Sequence, residues 1–162
     1  MELRRPAVIA ILLLLAPAAR PAELPHPSVS FLVSAQNPLR NVSAGDLRRI
    51  FLGEIRRWDN GHRIVLFVRP ADTPEGRLFL DRLVRMSDID YSQWWLGAVF
   101  RGRAAAAPRI VGGADAMARA VAANADAIGF VPWSPAAIEP DVAILTIEGK
   151  PPSDPEYPVR TR

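Results

Sequence analysis

The chain has 162 residues, no cysteine and a formal net charge of +3, a length that suits one domain with a real core and leaves little room for a second. Without cysteine there are no disulfides, no thiol catalysis and no zinc–cysteine sites, and an exported domain of this kind points to a bacterial envelope protein. The basic residues are nearly all arginine and are spread among acids rather than gathered in a stripe, which argues against nucleic acid as a partner.

Arg4 and Arg5 precede a continuous apolar run from Ala7 to Leu15, and Ala16-Pro17-Ala18 supplies a small-x-small cleavage signal. This is the pattern of a secretory signal peptide over residues 1–18, with cleavage after Ala22 as a second option. The run is well short of the roughly 20 apolar residues of a spanning helix. The expectation is export to the periplasm, with no stable membrane insertion after cleavage.

After the leader "AELPHP", the stretch "SVSFLVS" places Val29, Phe31 and Val33 on one face and predicts the first strand of a domain over residues 28–149. Ser43 with Asp46 makes a capping-box-like start, Leu47, Ile50 and Phe51 share one helical face, and Gly53 is placed to close the helix. The turn "DNGHR" leads into "RIVLFV", residues 63–68, a continuous apolar run that predicts a strand buried on both faces of a parallel sheet. Strand, helix and strand together read as a βαβ unit.

"PADTPEGRLFLDRLV" predicts the next helix, with Thr73 as cap, Pro74 in the first turn, Glu75 favouring the dipole, and Leu78, Phe79, Leu83 and Val84 inward. "SDIDYSQWWLGAVFRG" predicts a helix begun by Ser87 or Asp88, its aromatics Tyr91, Trp94, Trp95 and Phe100 read as core. "AAAAP", residues 104–108, is a connector; "GADAMARAVAANA" reads as a helix, "AIGFVP" as a strand and "VAILTI", residues 142–147, as the last strand. The proline-rich residues 150–162 read as an extended or mobile tail.

The best candidate for chemistry is Arg69 to Arg77. An arginine leaves a buried strand, Asp72 and Thr73 stand at a cap, and the amides of Glu75, Gly76 and Arg77 open a helix. A tetrahedral oxyanion needs this mixture of guanidinium and amide donors. The plainer reading of the same residues is that Asp72 and Thr73 cap the helix while Arg69 and Arg77 pair with acids. Capped helices far outnumber anion sites, and the Glu75 carboxylate repels an anion. His26 and His62 are isolated, so neither a metal nor a cofactor is expected. Asp88 and Asp90, two apart on a helix, do not face each other as an acid/base pair. With no recognisable nucleophile, base or metal constellation, no catalytic residue and no enzyme is expected.

"DLRRIFLGEIRRW", "RIVLFVRPADTPEGRLF" and "GGADAMARAVAANADAIGFVP" resemble, in order, three segments of the periplasmic phosphate-binding proteins of ABC phosphate transporters, over about residues 29–147. The first is similar to that family's "DLxxIFxGxIxxW" phrase and the last to its "AIGYV" strand. The resemblance implies an α/β fold, a type 2 periplasmic-binding-protein-like lobe with a mixed, mostly parallel sheet flanked by helices. It implies phosphate or a similar oxyanion as ligand, for uptake or sensing, with an ABC transporter permease or a membrane sensor as protein partner. The candidate ligand-binding set is Arg69, Asp72, Thr73, Glu75, Gly76 and Arg77, in which Arg69 matches the family's arginine and Asp72 or Thr73 its acid or hydroxyl.

The chain departs from the family pattern in two ways. Where the family carries a "DGSGT"-like run, this chain has "ADTPEG", in which Pro74 lacks an amide proton and Glu75 adds charge. Removal of the signal leaves about one lobe and a little more, whereas two lobes normally close on the anion. The alternative function is a periplasmic accessory module that keeps the lobe without tight ligand binding and docks on a sensor or envelope protein.

Overall fold

The computed structural model describes residues 27–134 and 140–161; the expected signal peptide and His26 lie outside them. Strand β1 (Val29–Ser34) is buried along its whole length, because apolar layers cover both faces of the sheet it occupies. On one face Val29, Phe31 and Val33 join the main core, and on the other Leu32 joins a second, smaller core. The alternation of "SVSFLVS" therefore assigns side chains to two cores rather than to core and solvent.

The sheet has the order β4-β3-β5-β1-β6, with β3 at Val65–Val68, β4 at Arg109–Ile110, β5 at Ala127–Pro132 and β6 at Val142–Ile144. β3 pairs in parallel with β4 and β5, while β1 is antiparallel to both β5 and β6. Four strands thus point one way and β1 opposes them, a mixed, mostly parallel sheet flanked by helices in an α/β fold. The βαβ reading of the first elements does not hold: β1 and β3 run in opposite directions, separated by β5. Apolar periodicity reports burial and carries no information on strand direction, and the six-residue β1 finds its register along the equally long β5, from Val29 opposite Pro132 to Val33 opposite Ile128.

"VAILTI" is not one strand. β6 ends at Ile144, Leu145 is fully buried and donates its amide to Phe31 O, and β7 (Thr146–Ile147) turns away to pair in parallel with β2 (Asn41–Val42).

Helix α1 (Ala44–Phe51) begins as its capping residues require, with the Ser43 hydroxyl accepting from Asp46 N at 2.9 Å and donating to the Asp46 carboxylate at 3.0 Å. Leu47, Ile50 and Phe51 are buried. Gly53 follows at φ +69°, and a Cβ there would stand 2.6 Å from the Trp95 ring. Glycine is needed twice at this point, for the left-handed backbone and for the close approach of an indole. Trp95 belongs to α3 (Asp88–Phe100), which also carries Tyr91 and Trp94. The Tyr91 hydroxyl donates to Phe51 O and Trp94 Nε1 donates to Leu52 O, each at 2.9 Å. These aromatic donors satisfy carbonyls that the end of α1 leaves without helical partners. Burial pushes the Tyr91 pKa far above its ordinary value, so the hydroxyl keeps its proton and its donor role.

Between α1 and α3 lie α2 (Pro74–Leu78) and a π-helical segment (Phe79–Val84). Phe79 stacks on Phe130 at 4.6 Å between centroids and meets Phe51 and Tyr91 edge-on, the aromatic centre of the main core. Helix α4 (Ala114–Ala122) covers the opposite face with Met117, Ala118 and Val121. Phe100, expected inside with the other aromatics, is exposed instead, since the inner face of α3 is used by Tyr91, Trp95 and Ala98.

The chain past residue 149 is irregular, as its prolines dictate, yet it is packed. Tyr157 and Val159 are buried in the main core, and Val29 N donates to Val159 O at 3.0 Å. Tyr157→Ala is expected to lower the unfolding free energy by about 3 kcal/mol, as for an aromatic removed from a core. Gly53→Ala is expected to cost about 2 kcal/mol or more through strain and overpacking against Trp95. Urea denaturation measures both, and a Tyr157→Ala midpoint equal to wild type would mean that the tail contributes no packing.

Candidate functional site

Arg69 leaves the carboxyl end of β3, the chain turns through Pro70 to Asp72, and α2 starts after Thr73. The Thr73 hydroxyl donates to Pro70 O at 2.7 Å and accepts from Gly76 N at 3.1 Å. This cap pulls the first turn of α2 onto the preceding loop so tightly that a Cβ at Gly76 would stand 2.1 Å from Pro70 O. The Arg77 amide donates to Thr73 O at 3.0 Å, and its guanidinium Nη2 donates to Asp72 O at 2.6 Å.

Arg69 and Glu75 form an ion pair. Arg69 Nε meets Glu75 Oε1 at 2.7 Å with side chains only 8% and 6% exposed, and Arg69 Nη1 donates to Val111 O at 2.8 Å. A buried guanidinium needs a counter-charge and hydrogen-bond acceptors, and here Glu75 supplies the charge while Val111 O accepts from Nη1. The six residues named from the sequence do converge within one loop and one helical turn. Among them, the Gly76 and Arg77 amides serve the helix, Thr73 serves the cap, Arg77 holds Asp72 by its backbone, and the charges of Arg69 and Glu75 neutralise each other.

On the far side of Arg69 and Gly76 is a half-open cavity of about 410 Å³ between the π-helical segment, α3 and β4. Its walls are mainly apolar, with Phe79, Tyr91, Trp95, Leu96, Val99 and Ile110, while Asp88 and Ser92 stand at its edge. The sequence reading missed this feature. Its signal is present, however, in Leu96 and Val99 of α3, which line it and follow the inward Tyr91 and Trp95 at helical spacing. No group of three His, Asp or Glu that could hold a metal ion occurs among the described residues; His62 Nδ1 instead meets Asp126 Oδ1 at 3.1 Å on the surface. Nor is any helix among the described residues long and apolar enough to cross a membrane.

Arg69→Ala would strand the Glu75 carboxylate in the interior and is expected to cost about 3 kcal/mol of stability, with a similar loss for Glu75→Ala. The double variant should lose less than the sum, because removing both partners leaves no uncompensated charge. Chemical denaturation of the four proteins measures the coupling; simple additivity would mean that the two side chains do not depend on each other.

No protein-family model matches the chain, and no curated protein does. Solved structures do. PstS from Borrelia burgdorferi aligns with TM-score 0.68 and 16% identity over 85% of this chain and 55% of its own. A protein from Clostridium perfringens, assigned as a phosphate ABC transporter substrate-binding protein and solved with bound phosphate, aligns with TM-score 0.62 and 16% identity over 78% of this chain and 47% of its own. An ABC-type phosphate transport receptor from Vibrio cholerae gives 0.60 and 16%, over 79% and 49%. The chain spans about half the length of these solved relatives. It has the fold of the substrate-binding proteins of phosphate ABC transporters, over a segment equal to about half of one.

Proposed function

We propose that this chain is a periplasmic accessory lobe, one that keeps the substrate-binding-protein fold and works by docking on a sensor or other envelope protein rather than by holding an oxyanion tightly. The observation that carries this reading is the Arg69–Glu75 pair. An oxyanion bound to the same guanidinium would stand on the order of 4 Å from the Glu75 carboxylate, where two unit charges repel by about 4 kcal/mol at an effective dielectric constant near 20. A charge-assisted hydrogen bond contributes about 1.5–3 kcal/mol. The repulsion therefore offsets such a bond unless further donors face the ligand, and Thr73 Oγ1, Gly76 N, Arg77 N and Arg69 Nε already have partners within the loop and the first turn of α2. The exposed apolar residues of α3 and β4 supply, in place of a ligand site, the kind of surface that proteins recognise.

A second reading, in which the lobe binds phosphate or a similar oxyanion for uptake or sensing together with an ABC transporter permease or a membrane sensor, draws support from the fold likeness and from Arg69 at the end of β3. Titration calorimetry separates the two. With inorganic phosphate the protein is expected to give no saturable heat in the millimolar range. Glu75→Gln removes the repulsion while leaving an oxygen for Arg69 Nε, and should bind phosphate at least about tenfold more tightly, a gain of about 1.4 kcal/mol. Micromolar affinity in the unaltered protein, lost in Arg69→Ala, would establish the second reading instead.

A further inference from the structure

We infer that the outer face of α3 is a self-association surface, against which α3 of a second copy packs antiparallel about a two-fold axis. The inference deepens the interaction reading by naming the first partner of this face. It stands on the oligomeric state and not on phosphate.

Ile89, Leu96 and Phe100 are spaced by seven and four residues and so lie along one side of the helix. They are 68%, 58% and 82% exposed, and Ile110 of β4, at 70%, extends the patch across the mouth of the cavity. This stripe is not spare core, because the opposite side of α3 already anchors the helix through Tyr91, Trp95 and Ala98. A single exposed leucine is ordinary, whereas Leu96, Val99, Phe100 and Ile110 together, with Ile89 two turns away beyond Ser92 and Gln93, make an apolar patch of the kind that marks an interaction surface.

The charges along α3 select what covers it. Asp88 and Asp90 stand at its N-terminal end and Arg101 and Arg103 follow its C-terminal end. Two copies packed in parallel would set like charges together, while an antiparallel pair sets acids against arginines at both ends. Asp90 and Arg101 are eleven residues apart, about three helical turns, and hence lie on the same flank. The Arg101 guanidinium lies back along that flank over Gly97, close enough that a Cβ on Gly97 would be 2.6 Å from its Nη2, and it makes no ion pair among the described residues. A two-fold axis near the middle of the helix then brings Asp90 of each copy to Arg101 of the other, and Ile89 to Phe100, with Leu96 near the axis. The surface is complementary to itself, which is the requirement of an isologous interface. An anionic membrane would be met by the arginines and repelled by Asp88 and Asp90, so the pattern fits a second copy better than a lipid surface.

Sedimentation equilibrium of the purified protein over the micromolar range tests the proposal, with circular dichroism to verify that each variant is folded. A monomer–dimer equilibrium is expected, weakened at least about tenfold by Leu96→Asp at the centre of the stripe. Asp90→Arg and Arg101→Asp should each weaken it by about tenfold, and the double variant Asp90→Arg/Arg101→Asp should recover most of the loss, since reversing both ends restores complementarity only in an antiparallel pair. A monomer at every concentration, a dimer indifferent to Leu96→Asp, or a double variant no better than its parents would each overturn it. A monomer that binds an envelope protein through Leu96 would overturn self-association while leaving the interaction reading intact.

Discussion

A buried arginine cannot stand alone, and the manner in which Arg69 is neutralised organises much of this lobe. Its Nε takes the carboxylate of Glu75, from the first turn of α2, and its Nη1 takes the carbonyl of Val111, from the loop ahead of α4. One side chain at the end of β3 thereby ties together the two loops that follow β3 and β4 at the same edge of the sheet. The arrangement also decides the chemistry of that edge. A guanidinium at the end of a strand beside a helix start is equipped for an anion, and here the anion it meets is an internal carboxylate at 2.7 Å.

The junction of α1 and α3 is the second fixed point. Gly53 admits the Trp95 ring, and the Tyr91 and Trp94 donors close the carbonyl end of α1. Each hydrogen bond contributes about 1 kcal/mol net, while the buried rings contribute several times that through area. Packing therefore sets the position of α3, and the hydrogen bonds set its rotation. Rotation is what matters for the outer face: with Tyr91, Trp95 and Ala98 held inward, Ile89, Leu96 and Phe100 have nowhere to point but outward.

These particulars mark what could be read without coordinates. Ser43, Thr73 and Ser87 begin their helices as their hydroxyls require, and the runs around Val65 and Ile128 are strands, the second buried and the first buried only at Phe67 and Val68, because capping and apolar periodicity are local properties. β2 and β4, at two residues each, are too short to have a period. The direction of β1 and the break at Leu145 follow from which strand each segment meets, a non-local fact. Tyr157 and Val159 were masked by their prolines, which forbid regular structure but not burial. Phe100 reads as core from the sequence because α3 is apolar on both sides, so composition alone offers no inner face. At the candidate site all six residues were legible as neighbours. What was not legible was that Glu75 turns back to Arg69 rather than to solvent, since Glu75 suits a helix start equally well in either rotamer.

The apolar residues Leu96 and Val99, exposed by α3, border the cavity that Arg69 and Gly76 also line, so the outer surface of α3 is continuous with the carboxyl edge of β3. Any partner that covers Leu96, Val99 and Ile110 also closes the cavity and further dries the Arg69–Glu75 pair. Drying strengthens the Coulomb attraction within a satisfied pair and raises the cost of separating it. Occupation of the outer face by a partner and internal neutralisation of Arg69 would therefore reinforce each other.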